Sequence, residues 1–225
     1  MGFFPVCLQL ANRLCIVVGG GEVARRKVEG LLSCGAAVTV ISPQLTASLA
    51  RRREAGEFEW RAREYREGDL AGAFLVIAAT DDQAVQARIH AEAERDNLLL
   101  NVADVPKWCN VILPAVVRRG DLSIAISTGG ASPALAGKLR RELEGCFGVE
   151  YEVLLRLLSR LRLLVLDRGS DHRENKRFFQ TLVEPDLAAW IREGRWDLLR
   201  EHVRSLGGDE LLACVEDVRR QYDHL

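Results

Sequence analysis

The sequence lacks an excess of either charge, a long apolar run and any paired-cysteine spacing, and each absence removes a class of function. Its 31 Lys and Arg against 32 Asp and Glu leave a formal net charge of −1. No global positive field is therefore available to draw in nucleic acid or an anionic membrane, and any anion site must be local. No apolar run approaches the roughly 20 residues that a membrane-spanning helix requires, and the Leu-rich stretch 153–166 is interrupted by Arg156, Arg160 and Arg162. Met1 to Leu10 is apolar but has neither a basic leader segment nor a small-residue cleavage site, so a cytoplasmic location is expected. The cysteines (Cys7, Cys15, Cys34, Cys109, Cys146 and Cys214) include no C-x-x-C pair, which removes the zinc and redox-dithiol spacings and favours buried free thiols. His90, His172, His202 and His224 show no H-x-x-x-H pattern, so no preformed metal site is expected. There is no G-x-x-x-x-G-K-[ST] loop for a P-loop NTPase. Tyr65 and Tyr151 are followed four positions later by Asp69 and Leu155, so the Tyr-x-x-x-Lys acid pair of short-chain dehydrogenases is missing too. No fixed-period repeat or low-complexity segment is present.

What remains describes a globular chain. Its 225 residues are 48% hydrophobic and 28% charged, enough to bury a sizeable core in one large or two small domains. Of 19 glycines, 14 fall in residues 1–147, which places a boundary near Gly148. Before it, β-branched runs at Leu14–Val18, Val38–Ile41, Phe58–Ala62, Phe74–Ala79 and Leu98–Val102 alternate with helical patterns over Val23–Ser33 and Ala84–Arg95. Alternation of this kind predicts a parallel sheet, with Ala24, Val28, Leu31 and Leu32 on one helix and Val85, Ile89 and Ala93 on the other forming apolar stripes against it. Val111–Val117 and Leu122–Ser127 then read as two strands joined by an Arg118-Arg119-Gly120-Asp121 turn, followed by a helix from Pro133 to Glu144. Residues 149–225 read as several helices broken near Gly169-Ser170, Glu184-Pro185, Gly194 and Gly207-Gly208.

The strongest local signal is Val18-Gly19-Gly20-Gly21-Glu22-Val23-Ala24, a G-x-G-x-x-A turn that follows an apolar strand and opens an amphipathic helix. This is the dinucleotide fingerprint of a Rossmann-like fold: Gly19 permits the tight turn, Gly21 lets backbone N–H groups approach a pyrophosphate, and Ala24 lets helix and strand pack closely. An NAD site ordinarily adds an acidic residue about 20 positions on. Here the second strand ends instead in Ser42-Pro43-Gln44, with no Arg for a 2′-phosphate either, so NAD is favoured over NADP.

Ligands of such sheets lie outside the carboxyl ends of the strands, which gives priority to three further segments. Thr80 and Asp81 border the cofactor position, while Asp82 reads as a helix cap. Asn101-Val102-Ala103-Asp104 puts a carboxylate where the nicotinamide end would lie, making Asp104 the best catalytic candidate; the alternative is a loop residue before Pro106. Ser127-Thr128-Gly129-Gly130-Ala131-Ser132-Pro133 is able to cradle carboxylates or phosphates, or simply caps the following helix. Basic residues at Arg25-Arg26-Lys27, Arg118-Arg119 and Lys138-Arg140-Arg141 are mostly solvated faces, a few of them available to a polycarboxylate.

Together these segments resemble the precorrin-2 dehydrogenases of sirohaem biosynthesis, including the N-terminal module of trifunctional sirohaem synthases. The resemblance is carried by Pro5-Val6 with Gln9-Leu10, Val18 to Lys27, Ala78 to Asp82, Asn101 to Pro106, and Ser127 to Ala136. It implies NAD-dependent oxidation of precorrin-2 to sirohydrochlorin by a cytoplasmic homodimer. The implied organisation is an NAD-binding Rossmann-like domain over 1–112, a small α+β dimerisation and substrate-contact unit over 113–147, and a helical domain over 148–225. By resemblance, Gly19 to Val23 and Ser42-Pro43-Gln44 hold NAD, Asp104 is the catalytic carboxylate, and Ser127 to Ser132 with Asn101 line the tetrapyrrole site. Arg118, Lys138 and Arg141 would then offset substrate carboxylates. Some family members also insert iron, by the same Asp; here iron or cobalt insertion stays open. Ending at Leu225, the chain is expected to lack the methylation steps, and residues 146–225 match no motif. The rival readings are an NAD-sensing regulatory module without catalysis and a chelatase that keeps the Rossmann shell as scaffold.

Overall fold

A computed structural model describes residues 2–169 and 171–222. Met1, His224 and Ser170, the last at one of the expected helix breaks, lie outside the described residues. The chain divides into two compact units, the first running through Leu113 with Gly129–Ala131, the second comprising Pro114–Thr128 and the residues from Ser132 onward.

The first unit is a five-stranded parallel sheet formed by β1 (Leu14–Val18), β2 (Ala37–Ile41), β3 (Glu59–Arg61), β4 (Leu75–Ala78) and β5 (Leu99–Val102), in the order β3-β2-β1-β4-β5. Alternate residues of a strand face opposite sides of a sheet, and here both sides are apolar. Cys15, Val17, Val38, Val40, Leu75 and Ile77 pack under helices α1 (Glu22–Leu32) and α2 (Ala47–Glu54), through Ala24, Val28, Leu31 and Leu49. Ile16, Val18, Ile41, Val76, Ala78, Leu100 and Val102 pack under α3 (Gln83–Arg95), through Ile89 and Ala93. The expected strands and the two expected helices are present, with ends shifted by a residue or so. Helix α2 was not expected: of its side chains only Leu49 is fully buried, and Arg51-Arg52-Arg53 mask its periodicity. The strand order reverses between β1 and β4, which puts the ligand crevice at their carboxyl ends.

One wall of that crevice is the segment 62–74, which has neither strand nor helix and is held by two buried carboxylates. Glu92 of α3 accepts hydrogen bonds from the Tyr65 hydroxyl, from Gly68 N at 3.0 Å and from Leu70 N at 3.1 Å. Asp69 accepts from Arg63 at 2.6 Å, from Arg61 at 3.1 Å and from Arg66 N at 2.8 Å.

In the second unit, β6 (Ala115–Arg119) and β7 (Leu122–Ile126) pair antiparallel around a Gly120-Asp121 turn, and α4 (Pro133–Cys146) packs against both strands. The hairpin therefore differs from expectation: Arg118 and Arg119 belong to the strand, and residues 111–113 do not, because Pro114 interrupts the apolar run and cannot donate to a ladder. Helices α5 (Glu150–Asp167), α6 (His172–Leu182), α7 (Leu187–Arg192), α8 (Trp196–Gly207) and α9 (Leu212–Tyr222) follow, breaking where glycine and proline were expected to break them. Their core is built on an i, i+4 stripe of Val153, Leu157, Leu161 and Val165 along α5. All six cysteines are free, but only Cys15 and Cys214 are buried, which corrects the expectation of uniformly buried thiols.

Hydrogen bonding from Arg63, with help from the Arg66 N–H and Arg61, draws the Asp69 carboxyl from an ordinary 3.8 down to about 2. A depressed folded value means that this stabilisation is complete above the unfolded value and disappears as pH falls through about 2. Asp69→Asn is expected to cost about 2 kcal/mol at neutral pH and to flatten the acid decline of stability between roughly pH 4 and 2. Urea melts of both proteins at neutral and acid pH check it; equal midpoints at every pH would exclude the tether.

Candidate functional site

The Gly-rich turn is shaped by two close backbone approaches. A Cβ on Gly19, whose φ is +124°, would lie 2.1 Å from the Ala79 carbonyl oxygen, and one on Gly20 would lie 1.9 Å from the Gln44 carbonyl oxygen. Gly20, the variable position between the two fingerprint glycines, is as constrained as its neighbour. Gly21 is the opposite case, exposed and with nothing within 4 Å of an added Cβ. The turn is fastened by Gly19 N donating to Ile41 O and Thr46 N donating to Gly20 O, each at 2.9 Å.

Gly21 N-caps α1 without any side-chain hydrogen bond, whereas Thr46 caps α2 and Asp82 caps α3 through side-chain oxygens. Among the three helices on the sheet, only α1 leaves its first-turn N–H groups without a side-chain acceptor. Open space beyond Gly21 and uncapped N–H groups at the positive end of a helix fit a diphosphate. The residues present thus suit the expected dinucleotide.

Next to the turn lies a crevice of about 160 Å³ bordered by Gly19, Ser42, Pro43, Glu64, Tyr65, Thr80 and Asp82, among others. Ser42 is buried and its hydroxyl donates to Gln44 O at 2.7 Å, while its carbonyl accepts from Trp60 Nε1 at 2.9 Å, so it shapes the strand end. Pro43, Gln44 and Asp81 are exposed, and Val23 is half-buried. Thr80 Oγ1 accepts from Asp82 N at 3.3 Å, and Asp82 caps α3 by accepting from Ala84 N at 2.8 Å, the role expected of it. Glu22 is engaged by Arg25, which also holds Glu29. Glu64 was missed: it stands far along the chain from the Gly-rich turn, beyond the usual interval for a ribose-binding acid, and only the path of 62–74 brings it here.

Asp104 follows β5 in an exposed turn and has a left-handed φ of +61°, a conformation that Asp adopts more readily than most residues. Ala103 N, donating to Ala78 O at 2.8 Å, ties this turn to the end of β4. Lys27, half-buried on α1, has its ammonium pKa lowered by burial first and by Arg26 second, with the Asp104 carboxylate opposing that shift. The sequence had grouped Lys27 with Arg25 and Arg26; the structure separates it from them as the cation that senses Asp104. Asn101 donates from Nδ2 to Val111 O at 2.9 Å, a tie along the outer edge of β5.

In the second unit, Ser132 Oγ caps α4 by accepting from Leu135 N at 3.2 Å, and Thr128 Oγ1 accepts from Ser132 N at 3.1 Å, so the capping alternative is realised. Gly129 and Gly130, which with Ala131 are counted with the first unit, have φ of +60° and +86°; all three are exposed, as is Ser127. Arg118 is exposed on β6, while Lys138 and Arg141 share a face of α4, with Lys138 3.6 Å from Glu142. Among the described residues no group of three His, Cys, Asp or Glu side chains is placed to hold a metal ion.

Two glycine variants separate shape from binding. Gly20→Ala is expected to lower the melting temperature and abolish dinucleotide binding together. Gly21→Ala should melt within a few degrees of wild type while weakening binding about tenfold, since its methyl enters the diphosphate position. Calorimetric titration with NAD alongside thermal melts checks both; unchanged affinity in Gly21→Ala would move the diphosphate elsewhere.

Residues 6–115 match the family described as putative NAD(P)-binding, and residues 119–145 match the sirohaem biosynthesis protein central family. The chain is 38% identical over 195 residues to a sirohaem synthase of Methylococcus capsulatus, covering 87% of this chain and 41% of that protein. It is 40% identical over 200 residues to one of Nitrosospira multiformis, covering 87% and 42%. The chain thus spans less than half the length of these relatives. Among solved structures it is similar to SirC, a precorrin-2 dehydrogenase, with a TM-score of 0.75, 28% identity, and coverage of 96% of this chain and all of that one. That similarity extends into the helical region, where the sequence had offered no motif. The turn, the strand ends and these likenesses agree: the chain joins an NAD(P)-binding region to a sirohaem-biosynthesis central region and is similar along most of its length to a precorrin-2 dehydrogenase.

Proposed function

We propose that this chain catalyses the NAD-dependent dehydrogenation of precorrin-2 to sirohydrochlorin. The observation that carries the reading is the uncapped, Cβ-free diphosphate cradle at the end of β1, in the same sheet whose β5 presents Asp104. When bound, NAD supplies the hydride acceptor. Gly19, Gly20 and Gly21 with the first turn of α1 would hold its diphosphate, and Ser42-Pro43-Gln44, Thr80 and Asp81 would border its adenosine side. Asp104 would accept the proton that leaves as hydride departs, the task of a general base within reach of the reacting carbon. Lys27 is the basic side chain of α1 whose charge interacts with that carboxylate.

Glu64 and Asp82 are the two carboxylates that border the crevice, and Asp82 is committed to its cap. We assign Glu64 to the adenosine ribose, where its charge opposes a 2′-phosphate. Glu64→Gln is expected to narrow the preference for NAD over NADP by roughly tenfold, about 1.4 kcal/mol. Titration with each nucleotide reads this directly, and an unchanged ratio would remove Glu64 from the ribose.

Precorrin-2 carries several carboxylates. We assign their recognition to Arg118, Lys138 and Arg141, with Asn101 and the segment Ser127–Ser132 lining the macrocycle. The division 1–112, 113–147 and 148–225, a homodimer formed through the middle part, and a cytoplasmic location belong to the same proposal. Two observations support it: the β6–β7 sheet has only two strands, fewer than an independently stable sheet usually needs, and no described helix is long and apolar enough to cross a membrane.

The assay is the appearance of NADH and sirohydrochlorin absorbance on mixing protein, NAD and precorrin-2. Asp104→Asn should bind NAD normally and turn over about 10²-fold more slowly or worse. No NAD-dependent change with the native chain would reject dehydrogenation, and cobalt or iron insertion in a parallel sample without NAD would identify a chelatase.

A further inference from the structure

Strand β5 ends the sheet, so the N–H groups that point away from β4 have no neighbouring strand. The chain meets this need with its own next segment. Leu100 N donates to Asn110 Oδ1 at 2.7 Å, Asn110 Nδ2 donates to Leu98 O at 2.8 Å, and Asn110 N and Val111 N both donate to Leu100 O. One step further along the edge, the acceptor is sulfur: Val102 N donates to Cys109 Sγ at 3.1 Å. The same thiol lies 3.3 Å from Val102 O and 3.5 Å from Val105 O, with Asn101 Nδ2 at 3.8 Å.

Val102 and Val105 are the two ends of the turn whose third residue is Asp104. The backbone closes that turn only by a long Val105 N to Val102 O bond of 3.5 Å, and Asp104 itself sits at positive φ. Such a conformation persists only where its surroundings hold it. Cys109 is in turn fixed by the short 3-10 helix Pro106–Trp108, whose Trp108 stacks on His90 of α3 with ring centroids 5.5 Å apart.

We propose that Cys109 is a positioning residue, whose thiol clamps both ends of the Val102–Val105 turn and so holds Asp104 in the orientation that takes the proton. This rests on Asp104 being the base. The thiol accepts from one backbone N–H and shares its own hydrogen between two carbonyls, a combination that Ser keeps and that Val, of similar size, loses.

The test compares Cys109→Ser, Cys109→Val and Asp104→Asn in the precorrin-2 assay, with NAD affinity by titration and folding by thermal melt. Cys109→Val is expected to lower kcat roughly 10- to 100-fold, the scale of a small misplacement of a reacting group. Its NAD affinity and its KM for precorrin-2 should stay within about twofold of wild type, and Cys109→Ser should restore kcat to within about threefold. Cys109→Ala, which cannot overpack the site, replaces Val if that variant does not fold, with the same expectation. A folded Val or Ala variant with wild-type kcat overturns the proposal, as does a Ser variant no faster than Val. Slow Asp104→Asn beside fast Cys109→Val rejects the clamp alone, whereas fast Asp104→Asn removes the base itself and the clamp's purpose with it.

Discussion

The close approach of the Gly-rich turn to the ends of β2 and β4 is the constraint on which the site depends. At Gly19 and Gly20 the backbone of one strand end sits so near the carbonyls of Ala79 and Gln44 that no side chain fits. This contact fixes where α1 begins and aims its first N–H groups into open space past Gly21. That space lies at the carboxyl end of β1, beside the point where the strand order reverses. The position of Asp104 has meaning only relative to that anchor.

Much of the remaining polar structure of the first unit serves to keep the rim in place. Glu92 and Asp69 are buried carboxylates that gather N–H groups and arginines from 62–74, a stretch that would otherwise leave its backbone donors unsatisfied. Asn110, Asn101 and Cys109 do the same along the free edge of β5. That edge is thereby closed to pairing with another chain.

The legible parts of the sequence were those whose signal is local. Leu14–Val18 needed only β-branched residues ahead of glycines, and Asp82 and Ser132 needed only the three-residue reach from a cap to the N–H groups it serves. Illegible were features that depend on residues far apart in the chain. Glu64 reaches the crevice only because 62–74 folds back on α3. Val111 belongs to the edge of β5 and not to the following hairpin, because Pro114 divides an apolar run that looked continuous. Helix α2 was hidden by its arginines, since one buried Leu leaves little periodicity to detect.

By itself the sequence determined the element order, the parallel sheet and the dinucleotide turn, because strand and helix periodicity and glycine's freedom act over a few residues. It also carried the family resemblance, through motifs kept in order along the chain. Only the tertiary structure decided that Gly20 is as constrained as Gly19, that Lys27 rather than Arg25 senses Asp104, and that a cysteine thiol holds the turn beneath it. Those facts depend on which distant groups the folded sheet brings together, and the thiol contact on an edge N–H that no strand meets. A partnerless N–H at a strand edge has no signature in local sequence.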